Sequence, residues 1–338
     1  MNRKLNNRRT ALTVAAACAA SLGWPALRAQ PSTKPIRVGL LLSGSPAQWA
    51  PLEQALVAGL RERGYVEGSN LVLLRRYGEL QGERIRSGAA ELSALQVDAI
   101  VTSCTGTTRM AARASPNTPI VMGSMPDPVG AGFAASLARP GGKITGRGGL
   151  GLELIPKRLE VLRILLTEQA RAGARIGVLM NGQDPANDAA WHAAEPAAKS
   201  LDLVLVRIEA NGPAGLDSAF QTIANANLKG LLVFTDDPVM IEHRERIVAM
   251  ALRLRLPSIS SHRLFAEAGG LISFGADMSD DYRQSAAHVV KVANGADPAT
   301  LPIEQPTRFP MTINMKTADA LGIKIPPALQ IRADAILQ

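Results

Sequence analysis

The stretch Ile36-Arg37-Val38-Gly39-Leu40-Leu41-Leu42-Ser43-Gly44-Ser45-Pro46 decides the fold, because the chain repeats its outline as Ala174-Arg175-Ile176-Gly177-Val178-Leu179-Met180-Asn181-Gly182-Gln183-Asp184-Pro185. Each stretch is an unbroken aliphatic run followed by a polar turn that contains glycine and proline. The order that follows also repeats, since residues 97–102 are echoed by 229–235 and residues 118–122 by 256–260. This repetition predicts two similar α/β halves with a cleft between them, and such clefts bind small molecules.

Residues 1–29 have the pattern of a secretory signal peptide. Four of the first nine residues are basic, a short apolar run covers residues 11–22, and Leu27-Arg28-Ala29 offers a cleavage site after Ala29. The run is shorter than the roughly 20 residues that span a bilayer, and the context of Cys18 is poor for lipid attachment. The alternative is an amphipathic first helix of the folded domain. We expect an exported, periplasmic protein, and the pair Arg8-Arg9 hints at the twin-arginine route.

Charge and cysteine content exclude several classes of function. The whole chain has 37 basic and 29 acidic residues, a formal net charge of +8. Five of the basic residues lie in the predicted leader, so the mature chain carries +3 and gives no indication of nucleic-acid binding. Cys104 is the single cysteine after the leader, and no His/Cys cluster has the spacing of metal ligands. We therefore predict no metal and no cofactor.

The strands read as short, unbroken aliphatic runs that alternate with helical segments, which is typical of parallel strands covered on both faces. The predicted fold is α/β, with two doubly wound parallel-sheet lobes joined by a multi-strand hinge. The first lobe is predicted over residues 35–148 plus 276–305, and the second over 149–275 plus 306–338. The hinge would cross at residues 144–148, 273–276 and 307–315. A short helix at 132–137 and a single helix at 240–253 are also predicted.

Ligands of open parallel sheets bind outside the carboxyl ends of the strands, so the residues just after each strand are candidates. Hydroxyls and helix N-termini there can hold a carboxylate, and Asp236 can pair with an ammonium group, which together favour a small zwitterion. The alternatives are helix capping for the serines, threonines and Asp236-Asp237-Pro238, and a simple turn for Asp127-Pro128. The predicted ligand-binding residues are Ser43, Ser45, Thr105, Gly106, Thr107, Met125, Asp127, Asn181, Asp184, Asp236 and Ser261.

Catalytic motifs are weak in this sequence. It contains neither a Gly-x-Ser-x-Gly motif nor a Walker loop. Cys104 follows a predicted strand and could be a nucleophile, but a buried, inert cysteine is the favoured interpretation. Three of the four histidines fall on predicted helices, where exposed side chains are expected. Trp49 and Trp191 occupy equivalent places in the two halves, either packed on a loop or flanking an aromatic ligand.

Several motifs match a known family from about Pro35 to the C-terminus. They are Gly59-Leu60-Arg61-Glu62-Arg63-Gly64-Tyr65-Val66-Glu67-Gly68, Asp127-Pro128-Val129-Gly130, Ser136-Leu137-Ala138-Arg139-Pro140-Gly141-Gly142, Glu267-Ala268-Gly269-Gly270-Leu271 and Glu304-Gln305-Pro306-Thr307. The chain resembles the substrate-binding proteins of ABC transporters, of the type that includes tryptophan- and tyrosine-binding members. The resemblance implies a type I periplasmic binding fold that closes on its ligand, with ligand loops at Ser43, Thr105, Thr107, Asp127, Asn181 and Asp236.

The leading functional prediction is a monomeric periplasmic receptor that delivers a small solute to an ABC permease with its ATPase. The solute would be amino acid-like or a small carboxylate, and the only link to the membrane would be the permease. Two alternatives stay open at this point. The same cleft could present its ligand to a chemoreceptor or sensor kinase, or the chain could be a secreted α/β enzyme.

Overall fold

A computed structural model of the protein describes residues 35–166, 173–234 and 237–338. The predicted signal peptide and the predicted ligand residue Asp236 lie outside these ranges. Where the chain is described, its helices are too short or too polar to cross a membrane.

The first sheet is built from the aliphatic runs of the N-terminal half. Its strands are all parallel and lie in the order β2-β1-β3-β4-β5. Every residue of β3, β4 and β5 is buried, because helices cover both faces of the sheet, and this accounts for the unbroken apolar runs. The strands are β1 (Ile36–Leu42), β2 (Leu71–Tyr77), β3 (Ala99–Thr102), β4 (Ile120–Met122) and β5 (Ile144–Gly146).

The second sheet repeats the first and extends it. Its strands are β6 (Ala174–Met180), β7 (Leu203–Glu209), β8 (Gly230–Val233), β9 (Ser258–Ser260), β10 (Ile272–Phe274), β11 (Met311–Asn314) and β12 (Ala335–Leu337). They lie in the order β12-β11-β10-β9-β8-β6-β7. Strands β1 and β6 are equivalent, since each pairs with the two strands that follow it. The predicted repeat and the two-lobed α/β class are confirmed, except that β11 runs antiparallel to β10.

Helices flank both sheets and bury their apolar faces against them. They are α1 (Pro46–Glu62), α2 (Gly82–Ala94), α3 (Thr105–Ala114), α4 (Ile155–Leu165), α5 (Pro185–Ser200), α6 (Leu216–Asn225), α7 (Pro238–Glu242), α8 (Arg244–Arg253), α9 (Arg263–Glu267), α10 (Met278–Ala293), α11 (Met315–Leu321) and α12 (Pro327–Arg332). On the first sheet, Leu56 of α1 packs in one core with Tyr282 of α10, and Leu92 of α2 packs with Ala111 of α3 in a second core. Helix α10 therefore covers the first sheet, although it follows a strand of the second.

The chain passes between the two sheets at three places in its described part: after β5, after β10, and before β11. Arg147 follows β5, is 5% exposed, and contacts all three passages. Its guanidinium donates to Asp281 Oδ1 at the start of α10 and to Glu304 Oε2 ahead of β11, both at 3.0 Å. One buried cation thus connects the three passages. The residue boundaries predicted for the lobes stay a prediction.

Three predictions from the sequence are wrong, and they concern residues 132–137, residues 240–253 and His288. Residues 132–137 form turns, because Gly132 has a φ of +76° that no α-helix contains. The helix predicted at 240–253 is divided into α7 and α8 at His243, whose φ of −102° and ψ of 21° leave the helical region. His288 is fully buried, and its Nε2 lies 3.0 Å from the carbonyl oxygen of Pro302.

Candidate ligand-binding site

A cavity lies where the carboxyl ends of the two sets of strands face each other. Its wall includes residues after β3 and β4 of the first sheet and after β6, β8 and β9 of the second, together with the segments that connect the lobes. The space is about 1260 Å³ when the part open to solvent is counted. Much of the wall is apolar, formed by Trp49, Leu52, Met125, Leu152, Ile155, Phe234, Ile241, Met278 and Phe309.

The wall contains four of the predicted ligand-binding residues, namely Thr105, Met125, Asp184 and Ser261. Two follow strands of the first sheet and two follow strands of the second. They share one wall because the carboxyl ends of the two sets of strands face each other. Thr105 begins α3, and its hydroxyl points at the sulfur of Met125, 3.5 Å away. The rule that ligand residues follow parallel strands therefore identifies part of the wall.

Six other predicted residues lie outside the wall, and most have a local structural partner. Thr107 Oγ1 accepts from the backbone N–H groups of Ser103 and Cys104, at 3.0 Å each, and so caps α3. The hydroxyl of Ser103 lies 3.2 Å from that of Ser43. Thr107 and Ser43 are two of the six. Of the other four, Ser45 caps α1 and Gly106 is exposed. Asp127 accepts from the N–H of Gly130, and Asn181 donates to Asp237. Ser45 and Thr107 thus have the capping role, and Asp127 the turn role, that were the alternatives to ligand binding.

Two acids of the second lobe reach the cavity. Asp184 caps α5 by accepting from the N–H of Ala186 at 3.0 Å, and burial raises the pKa of its carboxyl. Asp237 is 3% exposed and caps α7, accepting from the N–H of Val239 at 2.8 Å. Burial raises the pKa of Asp237 to about 6, although the amide of Asn181 donates to the carboxylate at 3.0 Å and partly offsets this effect. The capping role expected of Asp237 is confirmed. Asp237 also lies in the cavity wall, although it is not among the predicted ligand-binding residues.

A cation that is not among the predicted ligand-binding residues also reaches the cavity. Arg158 lies on α4, is 3% exposed, and lines the wall. Its Nε donates to the carbonyl oxygen of Phe274 at 2.7 Å, which positions the guanidinium at the carboxyl end of β10. The sequence did contain a signal, because Arg158 falls on the same helical stripe as Ile155 and Leu162, and an arginine on a buried stripe requires an explanation.

The two equivalent tryptophans have different surroundings. Trp49 is 4% exposed, lines the cavity, and stands with its ring centroid 6.1 Å from that of Tyr282. Trp191 packs on the core of the second lobe, and the guanidinium of Arg207 lies 5.8 Å from its ring. Only the copy in the first lobe is therefore placed to contact a ligand.

The thiol of Cys104 also lies in the wall, at the N-terminus of α3. Burial raises the pKa of this thiol, so the neutral form is favoured at neutral pH. Among the described residues, no group of three or more His, Cys, Asp and Glu side chains could hold a metal ion.

Two α/β lobes around a cavity with acids, a guanidinium and aromatic rings define a two-lobed small-molecule-binding protein. The chain belongs to the family of ABC transporter substrate binding proteins, whose family model matches residues 46–337. The resemblance seen in the sequence is thereby confirmed.

Three similar proteins illustrate the relationship. A tyrosine-binding protein from Clostridioides difficile (strain R20291) is 22% identical over 272 residues, which cover 80% of this chain and 76% of the relative. A conserved domain protein from Vibrio cholerae has a TM-score of 0.83 at 24% identity, and an ABC domain from Streptococcus pneumonia in complex with L-Trp has 0.82 at 21%. Each of these two structures covers 90% of this chain and is itself covered completely. The fold is thus that of the type I periplasmic binding proteins.

Proposed function

We propose that this protein captures an amino acid-like zwitterion with a largely apolar body in the cavity between its lobes and delivers it to an ABC permease and its ATPase. The observation that carries the proposal is the composition of one wall, which brings buried Arg158 together with the acids Asp184 and Asp237 around apolar side chains. The ammonium group of a zwitterion supplies the charge complementary to the two acids, and the body of the ligand replaces water along the apolar surface.

Each end of the ligand has a preferred place. The ammonium group faces the acids of the second lobe, Asp237 and Asp184, with the undescribed Asp236 as a further candidate from the sequence. The carboxylate faces the charge of Arg158 and the N-terminus of α3 at Thr105, where the orientation of the backbone N–H groups favours an anion. The body of the ligand lies along Trp49 and its apolar neighbours. The tyrosine-binding relative and the L-Trp complex support this class of ligand.

Export and partners follow from the family and from the N-terminal sequence. Membership among the ABC transporter substrate binding proteins supports a place outside the cytoplasm, and the predicted leader over residues 1–29 supplies the route. The partner is a permease that accepts the closed, ligand-bound monomer. A catalytic role is disfavoured, because the raised pKa of the Cys104 thiol leaves little thiolate to act as a nucleophile.

A thermal-shift panel tests the proposal directly. The mature protein is screened against the common L-amino acids, their decarboxylated amines and their deaminated acids. A ligand that binds only the folded state stabilises it by about 2.7 kcal/mol at 100 times its dissociation constant. We expect at least one L-amino acid to raise the melting temperature, while the matching amine and acid, which lack one charged end, do so less. A panel without a hit, or one in which the amine or the acid is the better ligand, would contradict the proposal.

A further inference from the structure

The cavity wall contains a group of buried polar atoms that lack hydrogen-bond partners. Gln48 lies in the first turn of α1 and Trp49 follows it, and both line the cavity. In the part of the chain that the structure describes, both side-chain polar atoms of Gln48 and the indole nitrogen of Trp49 are buried and without a partner. A buried polar atom left unpaired costs about 1–3 kcal/mol. Three such atoms on adjacent residues at a ligand cavity therefore indicate that a bound ligand supplies their hydrogen-bond partners.

Gly44 brings these atoms together. The amide oxygen of Gln48 occupies the space that a Cβ at position 44 would need, and the Trp49 nitrogen would lie 3.0 Å from such a Cβ. Only a glycine leaves room for the amide against the loop after β1. We refer to Gly44, Gln48 and Trp49 as the polar corner.

The polar corner is held in place by its surroundings. The hydroxyl of Ser45 caps α1 by accepting from the backbone N–H of Gln48 at 3.3 Å, which fixes the first turn of the helix. The ring of Trp49 packs beside Tyr282 and is almost fully buried. The backbone of Gln48 and the ring of Trp49 are thus held by contacts that need no ligand, so little of their conformational entropy is lost when a ligand binds.

We propose that the polar corner determines specificity, by binding an uncharged polar group on the body of the ligand that can both donate and accept a hydrogen bond. An amide offers a donor and an acceptor whichever way it is turned, and the indole adds a second donor. A hydroxyl or a carboxamide matches this set, whereas a pure hydrocarbon body leaves all three atoms unpaired. This inference rests on the proposed function, since it assigns the selectivity of the same cavity.

The test compares ligands that differ in one polar group. Calorimetry on the mature protein measures L-tyrosine against L-phenylalanine, and L-glutamine against L-methionine. We expect the polar member of at least one pair to bind about ten- to a hundredfold more tightly. The variant Gln48→Leu should lose at least tenfold of that preference. Gln54→Leu is the matched control, because Gln54 lies on the same helix with an exposed side chain, and it should keep the full preference.

The indole is tested in the same way with Trp49→Phe, which removes the N–H and keeps an aromatic ring. Trp191→Phe is the control, because Trp191 packs on the core of the second lobe and is not part of the cavity wall. Melting temperatures of all variants separate a loss of selectivity from a loss of folding. Equal affinities within each pair, or a preference that survives Gln48→Leu, would overturn the inference and leave the proposed function standing. If no member of either pair binds, the inference fails, and the amino acid panel decides whether the proposed function fails with it.

Discussion

The carboxyl group of Asp237 is poised between its charged and neutral forms. It is buried at the cavity wall, and its pKa rises to about 6 from a value of 3.8 in the unfolded chain. The folded state therefore binds this proton more tightly than the unfolded state does. The resulting stabilisation is fully present below about pH 4 and is lost as the pH rises through 6. Ionisation of Asp237 thus opposes folding in the empty protein and assists the binding of a cation.

This residue should make ligand affinity depend on pH. A ligand ammonium pairs with the ionised form, so we expect the L-amino acid found in the panel to bind about tenfold more weakly at pH 5 than at pH 7. Calorimetry across this range measures the effect. Asp237→Asn should bind weakly at every pH and remove most of the dependence on pH.

The neighbouring variant Asp236→Asn separates the two acids. If Asp236→Asn abolishes binding and Asp237→Asn leaves both the affinity and its pH dependence intact, the ammonium group pairs with the acid favoured by the sequence, and the assignment of Asp237 is wrong.

Among the elements, the packing of α1 on α10 does most to bring the chain back to the first sheet. The two helices meet at Gly59, where a side chain would collide with the carbonyl oxygen of Arg283 and come within 2.9 Å of the Cβ of Ala286. Because Gly59 has no side chain, the backbones of α1 and α10 can approach each other closely at this position. The pair Arg283–Glu62, at 2.9 Å, connects the same two helices at their exposed edge.

A methyl group at Gly59 should therefore force the helices apart. We expect Gly59→Ala to lower the free energy of unfolding by about 1–3 kcal/mol, as overpacking of a core commonly does. Gly82→Ala is the matched control, because Gly82 opens α2 and a Cβ there meets no atom closer than 3.9 Å. That variant should be neutral or slightly stabilising. Urea unfolding of both variants measures the effect. Equal midpoints would contradict the prediction, because they would show that the helices accommodate the methyl group at position 59 without a loss of stability.

For the whole molecule, a buried ion pair lies where the chain passes between the lobes. Arg147 and Asp281 contact each other at 3.0 Å with side chains that are 6% and 2% exposed. The hydroxyl of Ser124 also donates to Asp281 at 2.9 Å, and the backbone oxygen of Gln305 accepts from Arg147 at 3.3 Å. Burial raises the pKa of Asp281 to about 6 despite these partners, and this value still leaves most of the carboxyl ionised at pH 7. The cluster therefore makes contacts among three separate chain passages.

Removing the cation should leave a buried carboxylate without its partner. We expect Arg147→Met to destabilise the protein by about 3–5 kcal/mol at pH 7, and adding Asp281→Leu to the same chain should recover part of that loss. Arg37→Met, in which an exposed arginine of β1 is replaced, is the control. Chemical denaturation provides the measurement. A destabilisation by Arg147→Met no larger than that of the control would mean that the cluster does not hold the passages together.

Particular residues show how far the sequence could be interpreted. Gly64, just after the end of α1, has a φ of +84°, and a glycine at such a position can be interpreted from the sequence because its conformational freedom is a local property of the backbone. Strand β12 was missed, since its residues are partly exposed and obtain their pairing only from β11. His288 was expected at the surface, but the segment that returns from α10 covers it.

The sequence by itself determined the repeat, the α/β class, most of the order of strands and helices, and the family, because these depend on local periodicity, turn chemistry and motifs. It also indicated part of the cavity wall, since parallel strands share one carboxyl edge. Only the tertiary structure decided which polar groups face the cavity. Thr107 caps its helix, Arg158 reaches the wall from a buried stripe, and Gln48 stands beside Trp49 over Gly44. Whether a polar side chain satisfies the backbone or faces a ligand depends on neighbours far away in the chain, and no local pattern records them.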